Sequence, residues 1–141
     1  MSIYTQTIQG KYTALASAVR SSTQIIVGAT LIDPSGATGI NAEVSGIIAY
    51  LNVTAVPGVD TIQLVLEEQD SVSGVWSTIT ATTPTTVTGM VRLKVKQAIA
   101  AIAASTTQVQ LQDTLPGIWR LRVAHSGAGN FTYSLGIVLY N

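Results

Sequence analysis

The sequence predicts an all-β protein, an antiparallel two-layer β-sandwich or jelly roll with an extended N-terminal arm. Successive short runs alternate apolar and polar residues, which is the period of a strand with one buried face. Turns containing Gly and Pro separate these runs, and about six or seven such strands are typical of two packed layers. The 141 residues suffice for one domain. We assign residues 1–42 to the arm and residues 43–141 to the sandwich.

The N-terminal arm shows only weak periodicity. Thr13–Val19 has the length of one or two helical turns, although its β-branched and serine residues disfavour a helix. Gln24–Ile32 is a better strand candidate, and Asp33–Gly36 is typical of a turn. We therefore expect an extended segment with one or two short strands. The alternative, a disordered tail, is less favoured because such tails are usually poor in apolar residues.

Four apolar side chains of the arm are candidate contacts with a partner. They are too sparse to form a core of their own, so we expect them to occupy separate pockets on a neighbouring subunit. These candidate anchors are Ile3, Tyr4, Ile8 and Tyr12.

The strands of the sandwich begin after Val44. Ser45–Thr54 is apolar on both faces, which indicates a central strand or one covered by a neighbour. Gln97–Ala104 is rich in alanine but too short for a stable isolated helix, so both a short helix and an irregular crossover stay open. The other predicted strands in this part are Thr61–Gln69, Val75–Thr80, Val87–Val95 and Thr107–Leu111.

The end of the chain carries the clearest strand pattern. Trp119, Leu121 and Val123 share one face of a first run. In the second run, residues 131–139, every odd position is a large apolar residue. Because a short loop with two glycines joins the runs, the pattern predicts an antiparallel hairpin with a large apolar face.

The charge content limits the classes of partner. Charged residues make up only 10% of the chain, and seven basic residues balance seven acidic ones. A near-neutral surface favours association, so we expect a homo-oligomer, most simply a closed ring. A nucleic-acid partner is not expected, because general nucleic-acid binders have a basic excess. The outward-facing cations are interpreted as a solvated or interfacial side of strands: Arg92, Lys94, Lys96, Arg120 and Arg122.

Membrane insertion and secretion are not predicted. The longest apolar run, Ala98–Ala104, is far shorter than a bilayer-spanning helix. The N-terminal residues lack the basic region followed by an apolar run that a signal peptide has. The chain contains no cysteine, which excludes disulfides and thiolate metal sites.

No residue pattern predicts an enzyme, a metal site or a bound cofactor. His125 is the one histidine, and its neighbour Ser126 is not in a nucleophile elbow, so we expect His125 to hydrogen-bond the adjacent turn. Glu67, Glu68 and Asp70 form the one acidic cluster, but Glu67 and Glu68 point to opposite faces of a strand. The Gly-rich stretches lack the lysine and helix of a phosphate-binding loop.

Four segments in a fixed order resemble a set of small virion proteins of tailed bacteriophages, encoded among the head genes. The likeness covers about residues 44–140, although the relatives often have a Tyr-Pro-Gly-like turn where this chain has Lys96–Ala98. The segments that carry it are Leu51–Ala55, Asp70–Trp76, Leu115–Arg120 and Phe131–Gly136.

This resemblance implies a capsid decoration, or cement, protein. It implies a homotrimer as the assembly and the major capsid protein as partner. It also implies a place on the capsid surface of the virion, after synthesis in the host cytoplasm. One alternative is a tail or head–tail connector component. The other is a carbohydrate-binding β-sandwich in which Trp76 or Trp119 stacks on a sugar; alternation places Trp119 in the core, so Trp76 is the better candidate.

Overall fold

A computed structural model describes residues 8–28, 44–116 and 118–140 of the chain. These residues form nine β-strands and no α-helix. The strands are β1 (Ile8–Arg20), β2 (Gln24–Val27), β3 (Gly46–Ala55), β4 (Ile62–Gln69), β5 (Trp76–Ala81), β6 (Gly89–Lys96), β7 (Gln108–Gln112), β8 (Trp119–His125) and β9 (Phe131–Tyr140).

The strands form two sheets that pack face to face. The five-stranded sheet has the order β1-β9-β3-β6-β7, and the four-stranded sheet has the order β2-β8-β4-β5. Every pair is antiparallel except β6 and β7, which are parallel. The predicted all-β sandwich is confirmed, and β3, the Ser45 strand of the sequence pattern, lies at the centre of its sheet as expected.

The core lies between the sheets and is built from alternate residues of each strand. Trp119, Phe131 and Tyr133 are its largest side chains, and all three are fully buried. The indole of Trp119 packs so closely on Gly28 that a Cβ at Gly28 would collide with it. The predicted core position of Trp119 is thus confirmed, and the glycine after β2 makes room for it.

The predicted hairpin at the end of the chain is wrong. β8 belongs to the four-stranded sheet and β9 to the five-stranded sheet, so residues 126–130 cross between the layers. The two strands face each other across the core, and this gives the same alternation as a paired hairpin. The crossing lies against Asp60, whose Oδ2 accepts the Gly129 N–H at 2.7 Å. A Cβ at Gly127 or Gly129 would collide with the Asp60 carboxylate.

The described part of the N-terminal segment supplies one edge strand to each sheet. β1 pairs with β9, and β2 pairs with β8. The helical alternative for Thr13–Val19 is wrong, because these residues belong to β1. Register shifts at three places in β1 bend its pairing with β9. The predicted turn Asp33–Gly36 lies outside the described residues, and the reach of the segment toward neighbouring subunits stays a prediction.

The alanine-rich segment Gln97–Ala104 forms an irregular crossover and no helix. Ala98 has a left-handed backbone with φ of 57°. Ile102 then pairs with Gln110 through two backbone hydrogen bonds of 3.0 and 3.1 Å. The crossover returns the chain along the sheet, which is why β7 runs parallel to β6.

Candidate functional site

The outer face of the five-stranded sheet carries a group of basic side chains. Because alternate residues of β6 are buried in the core, Arg92, Lys94 and Lys96 face outward. Lys11 of β1 lies on the same face, opposite Val138 of β9. We call this outer surface the cationic face; it consists of Lys11, Thr13, Ile48, Tyr50, Arg92, Lys94, Lys96, Gln108, Gln110, Gln112, Gly136, Val138 and Tyr140.

Strand register arranges the cationic face in rows. One row crosses all five strands through Lys11, Val138, Ile48, Lys94 and Gln110. Adjacent strands lie about 4.8 Å apart, so this row is roughly 19 Å long. The row therefore has an aliphatic middle with a lysine on each side of it.

The next row contains a shallow groove. It runs through Thr13, Gly136, Tyr50 and Arg92. The groove has a volume of about 230 Å³ and lies over Gly136, between Tyr50 and the β1 residues Lys11 and Thr13. A Cβ at Gly136 would meet nothing closer than the backbone oxygen of Tyr12, at 3.9 Å. Because Gly136 has no side chain, its backbone forms the floor of an open hollow.

Tyr140 lies at the edge of the cationic face. The Nζ atom of Lys96 lies 4.5 Å from the centre of its ring, a cation–π contact. Burial raises the pKa of Tyr140 above its usual value, and the nearby Tyr50 hydroxyl adds to this. Tyr140 is therefore a neutral phenol whose ring helps to hold the Lys96 ammonium in place.

No acidic residue balances these cations within the sheet. The five strands contain no Asp or Glu in the residues that the structure describes. Asp113 follows β7 directly, and its N–H donates to the Lys96 carbonyl at 3.3 Å. Its carboxylate accepts the N–H of Thr114 at 2.7 Å. The face is thus positive, with one carboxylate at its margin.

The outer face of the four-stranded sheet has a different arrangement, which we call the paired-charge cluster: Glu67, Trp76, Arg120 and Arg122. Glu67 Oε1 accepts from the Nε atoms of Arg120 at 2.9 Å and Arg122 at 3.1 Å. Glu67 is only 7% exposed. The Arg120 guanidinium also lies 4.2 Å from the centre of the Trp76 ring. Both arginines are thus held by the fold.

The cluster was not predicted from the sequence. Arg120 and Arg122 face outward as expected, and Glu67 lies on the same face of the sheet. Their contact depends on the register Glu67↔Arg120, which brings β4 and β8 together. The sequence offers one indication of the cluster, which is opposite charges on the outward faces of two separate strands. This indication identifies the cluster only when the strand order shows that the two strands are neighbours.

Trp76 does not offer a free ring on both faces. It is partly buried, and Arg120 occupies one side of the indole. A sugar would have to stack on the opposite side, at the edge strand β5. The arrangement gives no specific support to the carbohydrate-binding alternative.

His125 lies at one end of the core and joins the two sheets. Its Nε2 is 2.9 Å from the Tyr133 hydroxyl on β9, and its ring packs edge-on against Phe131. The expected side-chain bond to the adjacent turn is wrong. Burial lowers the pKa of His125, Arg20 lowers it further, and Asp60 opposes them. Burial raises the pKa of Tyr133 to about 12, so both groups are neutral near pH 7.

The remaining polar candidates make local contacts. The Ser126 hydroxyl accepts the Thr61 N–H at 2.8 Å. Asp70 accepts from the Val72 N–H and the Ser73 hydroxyl in its turn, and these bonds lower its pKa. No group of three or more acidic or histidine side chains able to hold a metal occurs in the described residues. A bilayer-spanning helix is likewise not found in that part of the chain.

The four candidate anchors are not brought together by the described structure. Ile3 and Tyr4 lie outside the described residues. Ile8 begins β1 and is 54% exposed. Tyr12 is only 7% exposed and belongs to the core of its own chain. Of the two candidate anchors that the structure describes, Ile8 is therefore the one whose side chain is exposed enough to contact a partner as expected.

No protein-family model matches the chain, and no curated protein is significantly similar to it. The function is therefore inferred from the sequence resemblance and from the geometry of the two outer sheet faces.

Proposed function

We propose that the protein is a structural virion protein of a tailed bacteriophage. It binds the outer surface of the assembled capsid and reinforces it as a decoration protein. Its partners are the major capsid protein and further copies of itself, most simply in a trimer. This role requires a rigid body and a complementary underside, and it requires no chemical reaction.

The observation that carries the proposal is where the four resembling segments lie. Leu51–Ala55 is the end of β3, and Phe131–Gly136 is the start of β9. The two are neighbours in the five-stranded sheet, where Leu51 pairs with Leu135 and Val53 with Tyr133. Segments separated by almost the whole sandwich sequence therefore form one contact in the core.

The other two segments also meet. The turn Asp70–Trp76 lies beside the start of β8, where the Gln69 N–H donates to the Ile118 carbonyl at 3.3 Å. Trp76 is in turn covered by Arg120. The resemblance thus concentrates at two contacts that fix strand order, one in each sheet. This supports a shared fold with the phage proteins, and the shared role is inferred from that fold.

The surface chemistry suits repeated docking. With 10% charged residues, most of the surface can leave water at low cost when the protein binds a partner. Repeated contacts across a lattice add avidity, so each contact can be modest. Binding only the mature lattice would stabilise that state by mass action.

The test mixes the purified protein with capsids stripped of it and measures occupancy and rupture temperature. Saturable binding with a raised rupture temperature is the expected result. Sedimentation of the free protein at micromolar concentration should give an oligomer. Location of the protein at the tail tube or portal neck of purified particles would contradict decoration and favour the connector alternative.

A further inference from the structure

We infer that the cationic face is the surface that docks on the capsid, and that the matching patch on the capsid shell is an acidic protein surface. This inference rests on the proposed function and names the partner's chemistry. The juxtaposition that carries it is a group of cations without a carboxylate partner in the described residues, beside an aliphatic strip and a hollow, all on the outer face of one sheet.

The cations of this face have no carboxylate partner in the described residues. The guanidinium of Arg92 contacts the side-chain oxygen of Gln108 at 3.5 Å, and this partner is a neutral amide. Lys94 and Arg92 are two residues apart on one strand, so their like charges repel. An acidic partner would relieve this repulsion and would be attracted over a distance of about one Debye length, roughly 10 Å at 0.1 M salt.

The middle of the face resembles the centre of a protein interface. Val138 is partly exposed between the lysines, its neighbour Ile48 is only 7% exposed, and Tyr50 lies beside them. Interfaces commonly place apolar and tyrosine side chains at the centre, with charges around them. The hollow over Gly136 gives the partner a place for one protruding side chain. These features fit a folded protein surface with acidic residues around an apolar contact.

Two other occupants fit less well. Two copies of the chain stacked through this face would place four cations against four cations, which is repulsive. A single-stranded nucleic acid would need free aromatic rings for stacking. Lys96 lies over the Tyr140 ring, which leaves Tyr50 as the one other aromatic ring of the cationic face, and the chain has no net positive charge. The acidic protein surface is therefore the occupant that the geometry favours.

The experiment measures binding to stripped capsids as a function of salt, with one charge variant and one matched control. The variant Arg92→Gln/Lys94→Gln removes two positive charges from the face. The control Val59→Glu/Val72→Glu lowers the net charge equally, at two loop positions that are 82% and 94% exposed. We expect the wild type to bind more weakly as NaCl rises from about 0.05 M to about 0.5 M. We expect about a tenfold loss of affinity for the variant and little change for the control.

A second variant tests the hollow independently of charge. Gly136→Ala adds one methyl group to its floor, where the fold has space for it. Capsid affinity should fall by several fold while the thermal unfolding temperature does not fall. Equal capsid binding by the wild type, the charge variant and Gly136→Ala, without salt dependence, would overturn the inference.

The outcomes separate the inference from the proposed function. Failure of the wild type to bind capsids under any salt condition contradicts the proposed function itself. Capsid binding that is kept while the charge variant loses self-association in sedimentation would assign the face to a second copy. Loss of binding to a labelled oligonucleotide, with capsid binding kept, would assign it to nucleic acid. Either of these last results overturns the acidic protein surface as the occupant.

Discussion

The outer faces of the two sheets use similar residues to different ends. On β6 the outward positions are Arg92, Lys94 and Lys96, and on β8 they are Arg120 and Arg122. Next to β8, strand β4 supplies Glu67, which binds both arginines. The strands on either side of β6 supply no carboxylate. One set of cations is held by the fold, and the other set is available to a partner.

The neighbouring strand decides whether the charges on a strand face are paired within the fold or left for a partner. Alternation places a cation outside the core, but it does not determine whether a carboxylate lies within ion-pair distance of that cation. The carboxylate of the paired-charge cluster is itself buried. The Arg120 and Arg122 side chains are 22% and 33% exposed, and Glu67 is nearly inaccessible. Such a cluster stabilises the domain, whereas unpaired cations contribute little to folding.

The largest expected effect comes from breaking the paired-charge cluster. Glu67→Gln keeps the side-chain shape but leaves two guanidiniums without their carboxylate. We expect the free energy of unfolding to fall by about 2 kcal/mol, less than for a fully buried pair because both arginines are partly exposed. Chemical denaturation measures this change. Glu68→Gln, at the adjacent exposed position, is the control and should change stability by less than about 0.5 kcal/mol. Equal effects of the two variants would contradict the structural role of the cluster.

An intermediate effect is expected at the end of the core, where His125 links the two sheets that carry the compared faces. Tyr133→Phe removes the hydroxyl that His125 Nε2 contacts and leaves this partly buried nitrogen without its partner. The free energy of unfolding should fall by about 1–2 kcal/mol. Thermal or chemical unfolding at pH 7 measures it. A loss below about 0.3 kcal/mol would show that the contact does not join the sheets energetically.

The partial burial of His125 predicts a pH dependence. Because the pKa of His125 is lowered in the folded protein, the unfolded chain binds more protons below its ordinary value of 6.5. Stability is therefore complete above that pH and declines as the pH falls from 6.5 toward the lowered folded value. Unfolding measured between pH 7 and pH 5 should show this decline in the wild type. His125→Gln should be flat over the same range, and an equal decline in both proteins would assign the effect to other groups.

The smallest effect is expected on the cationic face. Arg92→Gln/Lys94→Gln should change the free energy of unfolding by no more than about 0.5 kcal/mol, because neither side chain has a charged partner to lose. Chemical denaturation of this variant beside Glu67→Gln makes the comparison direct. A loss as large as that of Glu67→Gln would mean that the two faces do not differ in the way described.

The fold was largely predictable because the alternation of apolar and polar residues along a strand reflects which side chains are buried. The predicted Ser45–Thr54, Thr61–Gln69 and Thr107–Leu111 each lie within one residue of an observed strand. The alternation pattern does not determine which strands pair with each other. Phe131 and Leu135 look the same whether their strand pairs with β8 or faces it across the core. The hairpin prediction therefore failed at a step that periodicity does not determine.

The candidate site was less predictable for the same reason. Arg92, Lys94 and Lys96 were identified as one face, since they share a strand. Tyr50 and Tyr140 join that face only through pairing of three distant strands. Val87 was expected to alternate with the core residues of β6, yet it precedes the strand and is 62% exposed. Contacts within a strand follow from the sequence, and contacts between strands require the register.

The pairing of β1 with β9 has a consequence for biosynthesis. A ribosome releases β1 first and β9 after all the other described strands, so β1 has no sheet partner while the rest of the chain is made. Its register shifts and Gly10 make it a poor template for pairing with another nascent chain during that wait. The five-stranded sheet closes only when β9 arrives between β1 and β3. The cationic face is therefore completed late, by a strand insertion that depends on contacts distant in sequence.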